Sequence, residues 1–203
     1  MAEKTVSFSE LDRYLFHEGS HFKAYKKMGA HIRRENGVSG VRFCIWAPEA
    51  RRVCVLCDRL GWDEFKGEME RVGSGVWEIF IPGIRAGDKY RYMIVGCDGI
   101  TRFKADPYAF RSELRPATAS IVCPLTGYKW NDKEFLAQNS NKNVLEKPMA
   151  IYEVHLGSWK RDMRYEDGFL NYRVLADDLA QYVNYMGYTH VELIGICEYP
   201  FDG

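Results

Sequence analysis

Two cysteines three positions apart are the first candidates for chemistry in this sequence. Cys54 and Cys57 form a CxxC in "RRVCVLCD", a spacing that suits a metal knuckle or a redox pair. The surrounding residues alternate as in a β-strand, where side chains three positions apart point to opposite faces. A four-thiolate zinc site would also need a second CxxC, which the sequence lacks. We interpret both cysteines as strand residues and predict neither a metal nor another cofactor.

Composition and charge argue against several classes of partner. Lys plus Arg and Asp plus Glu both number 28, so the formal net charge is zero. Such a balance provides no general attraction to nucleic acid or to an acidic membrane surface. The N-terminal "MAEKTVSFSELDRYLF" lacks the pattern of a secretory signal, and no apolar run approaches the roughly 18 residues of a membrane span. We expect a cytoplasmic protein without a nucleic-acid or membrane partner.

The predicted secondary structure that must position any site differs between the first and the last part of the chain. Apolar and polar residues alternate in four segments, at 40–48, 51–57, 75–83 and 88–96. This alternation predicts half-buried strands, and their close spacing leaves no room for crossover helices. We therefore predict an antiparallel β-sandwich over about residues 20–125, preceded by an N-terminal lead-in at 1–19.

A different pattern follows a polar connection at 126–148, which we interpret as a surface linker. The segment 149–203 reads as strand, helix and strand, with the helix predicted over 171–186. Asn171 is a suitable N-cap and Gly187 a suitable stop. One helical face carries Tyr172, Leu175, Ala176, Leu179, Val183 and Met186. A single βαβ unit cannot cover both faces of a parallel sheet, so this segment resembles the start of a larger α/β domain.

Several stretches together carry a family resemblance. In chain order they include "GVRFCIWAPEARRV", "KADPYAFRSELRPATASIV", "IYEVHLGSWKR", "YRVLADDLAQYVNYMGYTHVEL" and "EYPFDG". From about Tyr14 to Gly203 the sequence closely resembles the N-terminal part of the bacterial glycogen branching enzymes, the 1,4-α-glucan branching enzymes of the α-amylase family.

The resemblance implies a fold for each part of the chain. It implies an early-set, immunoglobulin-like carbohydrate-binding β-sandwich, followed by the first βαβ portion of an incomplete (β/α)₈ TIM barrel. Ile151–His155 would be the first barrel strand, 171–186 the first helix and Val191–Ile196 the second strand.

The resemblance also implies an activity for the family, namely transfer of α-1,4 glucan chains to form α-1,6 branches in glycogen biosynthesis. That retaining chemistry needs an Asp nucleophile and a Glu acid/base. In the family both lie on later barrel strands, so no residue here is assigned a catalytic role. We expect the chain to be inactive alone, with α-glucan and the missing barrel segment as its partners.

Glucan binding by the sandwich needs flat aromatic rings to stack on sugars. Trp62, in "LGWDEF", resembles the loop tryptophan that stacks on glucan in this module class, and Arg91 stands where related modules often present Lys. A second loop tryptophan would fall near Ile100 or Thr101 and is missing. Trp46 and Trp77 alternate within strands, and we predict both to be core residues.

Three hypotheses remain at this stage. The chain is either a branching-enzyme segment or a free-standing glycogen-binding, α-glucan-binding or regulatory module that retains the sandwich. A third reading is a β-sandwich interaction protein that does not bind glucan. Retention of the chain by glycogen separates the second reading from the third.

Overall fold

A computed structural model describes residues 8–114, 116–140, 143, 146–165 and 168–196. The "EYPFDG" stretch at 198–203 lies outside these residues. Contacts divide the described chain into two units, the first running to Tyr128 and the second beginning at Lys129.

The first unit contains two antiparallel sheets. In spatial order, the first sheet comprises β1 (Gly29–Glu35), β2 (Val38–Trp46), β5 (Val76–Pro82) and β4 (Glu70–Gly73). The second comprises β3 (Ala50–Cys57), β6 (Lys89–Gly96) and β7 (Thr101–Lys104), with β8 (Ser120–Ile121) also pairing β6. The four strands predicted from alternation correspond to β2, β3, β5 and β6, so the antiparallel sheet architecture is confirmed.

The main core lies between the inner faces of these sheets. Val41, Phe43 and Ile45 of β2 pack in one buried cluster with residues of β3 and β6. The rings of Phe43 and Tyr90 meet edge to face with their centroids 5.0 Å apart. The two sheets therefore form a sandwich of the predicted kind.

A buried carboxyl group lies at the edge of this core. The Tyr90 hydroxyl donates to Asp106 Oδ2 at 2.7 Å, and the Tyr92 hydroxyl donates to the same oxygen at 3.3 Å. The Tyr108 N–H donates to Oδ1 at 2.8 Å. Burial raises the pKa of Asp106, and these hydrogen bonds offset only part of that effect.

The N-terminal segment packs on the outer face of the first sheet. Helix α1 (Glu10–His17) has Ser9 as its N-cap, within a reciprocal capping box with Asp12. Phe8 is buried in a cluster with Met28, Cys44 and Val76. The Phe8 N–H donates to Glu78 Oε1 at 2.6 Å. These contacts attach the predicted lead-in to the sandwich.

The two cysteines of the CxxC belong to different clusters. Cys57 lies in the main core, whereas Cys54 packs with Leu56 and Met93 on the opposite face of β3. The predicted opposite orientation is confirmed. Burial raises the pKa of both thiols, which disfavours the reactive thiolate.

The prediction for the strand tryptophans is right for Trp77 and wrong for Trp46. Trp77 is 6% exposed, and its Nε1 donates to Ala47 O at 3.0 Å. Trp46 is 44% exposed and contacts Phe16 of α1 with ring centroids 5.8 Å apart. Trp46 follows Ile45, which faces the core, so strand alternation turns its side chain outward.

The second unit contains a parallel strand pair joined by a helix. β9 (Ile151–His155) pairs in parallel with β10 (His190–Ile194). Between them lie a short helix, α3 (Leu156–Trp159), and the longer α4 (Tyr172–Met186). Asn171 caps α4 by accepting from two N–H groups, and Gly187 ends it in the left-handed conformation. The predicted strand, helix and strand are therefore present.

The polar stretch at 126–148, predicted to be a surface linker, contains a helix, α2 (Lys133–Asn139). None of the residues of α2 is buried, which explains why the sequence shows no apolar period there. No helix among the described residues is both long and apolar enough to cross a membrane.

Candidate functional site

The loop after β3 presents Trp62 in an unusual backbone conformation. A short 3₁₀ turn (Asp58–Leu60) leads to Gly61 and Trp62, which have φ values of 65° and 60°. The Trp62 N–H donates to Cys57 O at 3.1 Å, closing the turn. A left-handed tryptophan is sterically unfavourable, so this conformation must be held by its surroundings.

Asp58 provides part of that support. Its Oδ1 accepts from Trp62 Nε1 at 3.1 Å, and its Oδ2 accepts from the Lys89 N–H at 2.9 Å. One carboxylate thus links the indole ring to the first residue of β6. These two hydrogen bonds orient the ring relative to the second sheet.

Arg91 lies on β6 two residues further along and faces the same ring. Its Cζ is 6.0 Å from the centroid of Trp62, within the range of a cation–π interaction. Its Nε is buried and has no hydrogen-bond partner in the described part of the chain. The two residues singled out in the sequence therefore come together in space.

Further charged groups adjoin this pair. Lys89 Nζ lies 2.6 Å from Glu113 Oε1, while Glu113 Oε2 accepts from the Ala119 N–H at 3.0 Å. The Lys89 ammonium lowers the pKa of Glu113. Sequence reasoning missed Asp58, Lys89 and Glu113, because the pairing of β3 with β6 brings Asp58 to Lys89 and the hairpin that ends in β8 brings Glu113 there.

The composition of this cluster favours a neutral ligand. Lys89 and Arg91 are balanced by Asp58 and Glu113, so the local formal charge cancels. Trp62 is 38% exposed, which leaves part of an apolar ring available beside hydrogen-bonding groups. A flat ring next to polar side chains is the usual arrangement for stacking a sugar and binding its hydroxyls.

The position of the missing second tryptophan is set by the strand register. Thr101 pairs with Val95, four residues along β6 from Arg91. At about 3.4 Å per residue, this end of the strand is roughly 14 Å from Arg91. Ile100, which is 56% exposed, occupies the hairpin there. Among the described residues, the tryptophan that lies beside Arg91 is therefore Trp62.

In the second unit, His155 ends β9 and is exposed. Its Nδ1 lies 3.1 Å from Ser158 Oγ, so the histidine interacts with a neighbouring side chain. Glu153 stands opposite Glu192 in the β9–β10 register. Neither arrangement identifies a catalytic role.

Comparison with known families and structures assigns a class to the sandwich. Residues 27–109 match the family model described as carbohydrate-binding module 48, isoamylase N-terminal domain. The chain also resembles a putative α-amylase from Salmonella typhimurium, with a TM-score of 0.58 and 21% identity over 86% of this chain and 25% of that one. The catalytic module of the pneumococcal glycogen-degrading protein SpuA gives a TM-score of 0.59 and 23% identity over 86% and 27%. These two likenesses concern the fold; the family match shows that residues 27–109, within the sandwich, are similar to carbohydrate-binding module 48.

Sequence relatives extend the similarity through both units. The 1,4-alpha-glucan branching enzyme GlgB of Halothermothrix orenii is 51% identical over 197 residues, covering 96% of this chain and 31% of the relative. The GlgB of Butyrivibrio fibrisolvens is 46% identical over 205 residues, covering 100% and 32%. The chain is therefore homologous to the N-terminal portion of the 1,4-alpha-glucan branching enzymes, and it spans about a third of the length of these relatives. The resemblance stated from the sequence is confirmed.

Proposed function

We propose that the chain is the glucan-binding N-terminal segment of a 1,4-α-glucan branching enzyme, and that its sandwich binds α-glucan chains at Trp62 and Arg91. The observation that carries this proposal is the Trp62 ring held by Asp58 and faced by Arg91, inside the segment matched to a carbohydrate-binding module. The similarity to branching enzymes continues through the second unit, which favours an enzyme segment over a free-standing binding module.

We also infer that residues 149–203 begin a (β/α)₈ barrel. The parallel register of β9 and β10, with α4 between them in sequence, supports this inference. Parallel sheets are normally covered on both faces, yet every residue of β10 is exposed here. The remaining strands of a barrel would provide that cover. In this proposal, the nucleophile and the acid/base of glycosyl transfer belong to those strands.

The finer domain limits belong to the same proposal: lead-in 1–19, sandwich 20–125, linker 126–148 and barrel start from 149. The contact division at Tyr128 and Lys129 supports a change of unit within the linker. A cytoplasmic location is also proposed, and it is compatible with the free thiols of the described cysteines, Cys44, Cys54, Cys57, Cys97 and Cys123.

Native electrophoresis through gels containing glycogen tests the binding site. We expect retardation of the wild-type chain, and a loss of roughly 1–3 kcal/mol of binding free energy in Trp62→Ala, because one stacked aromatic ring is removed. Trp62→Tyr serves as the matched control, since it keeps a ring with a polar group. Equal retardation of the wild type and Trp62→Ala would exclude this site.

A further inference from the structure

A second group of aromatic and polar side chains lies on α4 and the end of α3. Together they line an open depression of about 470 Å³. Its lining residues are Trp159, Lys160, Asp178, Gln181, Tyr182 and Tyr185. All six lie within the second unit, and none belongs to the Trp62 cluster.

The helix places four of these residues on one face. Asp178, Gln181, Tyr182 and Tyr185 follow the spacing i, i+3, i+4 and i+7, which aligns side chains along a helix. The buried residues of α4 are instead Leu175 and Leu179. Tyr185 is 88% exposed, a large fraction for an aromatic ring on an ordered helix. The helix thus presents this ring to solvent while its leucines are buried.

The base of the depression is held rigid. Trp159 and Tyr182 meet edge to face with ring centroids 5.9 Å apart, and the Tyr152 ring lies 5.3 Å from Tyr182. Trp159 Nε1 donates to the Tyr152 hydroxyl at 3.0 Å. These contacts hold the Tyr182 ring in place, so Tyr182 would lose little side-chain freedom when a ligand binds.

The polar groups select the kind of ligand. Lys160 Nζ and Asp178 Oδ2 form an ion pair at 2.5 Å, so their charges cancel. Gln181 adds a neutral amide that can donate and accept hydrogen bonds. A depression with adjacent aromatic rings, no net charge and several hydrogen-bonding groups suits a neutral, polyhydroxylated chain better than an anion or an apolar peptide.

We propose that this depression is a second carbohydrate site, which binds an α-linked glucan chain with Tyr185 as its stacking residue and Tyr182 as its neighbouring ring. Residues three apart on a helix have Cβ atoms about 5–6 Å apart, so the two tyrosines can contact neighbouring sugars of one chain. The choice of α-glucan as ligand rests on the proposed function.

The test is a titration of the 203-residue chain, labelled with fluorotyrosine, with maltoheptaose. The Tyr185 fluorine resonance is identified by its loss in Tyr185→Phe. We expect a saturable shift of this resonance that persists in Trp62→Ala.

On glycogen gels, Tyr185→Ala in the Trp62→Ala background should lower affinity about three- to tenfold, whereas Tyr185→Phe should not. Tyr14→Ala, which removes a 61% exposed tyrosine from α1, is the matched control.

The outcomes separate the two sites. An unshifted Tyr185 resonance, together with a Trp62→Ala variant that loses glycogen binding, would overturn the α4 site and leave the sandwich site standing. A shifted Tyr185 resonance, together with unchanged glycogen binding in Trp62→Ala, would support the α4 site and overturn the sandwich site. If Tyr185→Ala and Tyr14→Ala lower affinity equally, stacking at Tyr185 is refuted.

Discussion

The guanidinium group of Arg91 lies over the indole ring of Trp62, with its Cζ 6.0 Å from the ring centroid. This contact joins the middle of β6 to the loop that follows β3. It places a cation beside the ring proposed to stack on sugar. Changes at Arg91 should therefore alter glucan binding through Trp62 as well as directly.

The first prediction concerns this contact. Arg91→Met keeps an unbranched stem but removes the cation, and should weaken glycogen binding by about 0.5–1 kcal/mol with little change in fold. Arg91→Lys keeps the charge without the planar group and should lie between the wild type and Arg91→Met. Glycogen gels measure the affinity, and tryptophan fluorescence follows the ring environment. Tighter binding by Arg91→Met than by Arg91→Lys would contradict the assignment.

The second prediction concerns Asp58. Asp58→Ala removes the acceptor of Trp62 Nε1 and of the Lys89 N–H. We expect weaker glycogen binding and a loss of about 0.5–1.5 kcal/mol of unfolding free energy for each hydrogen bond. Asp63→Ala is the control, because Asp63 accepts from the Phe65 N–H in the same loop but does not contact Trp62 through a hydrogen bond in the described structure. Equal binding losses in the two variants would mean that Asp58 has no particular role in orienting the ring.

The third prediction separates the two strand tryptophans. Trp77→Ala should cost roughly 3–5 kcal/mol of unfolding free energy, because a buried indole leaves a cavity in the main core. Trp46→Ala should cost clearly less, since Trp46 is 44% exposed. Urea unfolding of both variants measures the difference. Similar losses would show that the outer face of the first sheet is as important for stability as the core.

The fourth prediction is a pH dependence at Asp106. Burial raises the pKa of this carboxyl in the folded state, so the folded protein binds the proton more tightly than the unfolded chain. The resulting stabilisation is complete below the unfolded pKa and is lost as the pH rises through the raised folded pKa. Asp106→Asn cannot lose a proton, so the wild type should lose stability relative to this variant as the pH rises from acid towards neutral. The limiting slope is about 1.4 kcal/mol per pH unit.

Urea titrations of both proteins across that pH range provide the measurement. If the two stability curves run parallel, Asp106 titrates alike in the folded and unfolded chains, and the stated effect of burial is wrong.

Long, strongly alternating segments were the most predictable part of the fold. Alternate residues of β2, β3, β5 and β6 face the main core, and that alternation leaves a period of two in the sequence. β7 has no buried residue and β8 has two residues, so neither carries such a pattern. Helix α4 was predictable because its cap at Asn171 and its stop at Gly187 flank an apolar stripe.

The candidate site was predictable only in part. Trp62 and Arg91 were found through resemblance to a module class, not through any local pattern. Asp58 lies four residues before Trp62, but its second partner, Lys89, is set by the pairing of β3 with β6. Glu113 reaches Lys89 through a hairpin that could not be predicted from the sequence pattern. Long-range pairing of this kind has no signature within a short window of residues.

The hydrogen bond from the Phe8 N–H to Glu78 has a practical consequence for anyone dissecting this protein. The segment matched by the family model begins at residue 27, so trimming to that boundary would remove Phe8 and helix α1. Cys44 and Val76, buried beneath them, would then face water, and the trimmed fragment should be prone to aggregation. The segment matched by the family model is therefore shorter than the unit that folds, and a binding assay on that fragment would measure the loss of folding as well as the loss of binding.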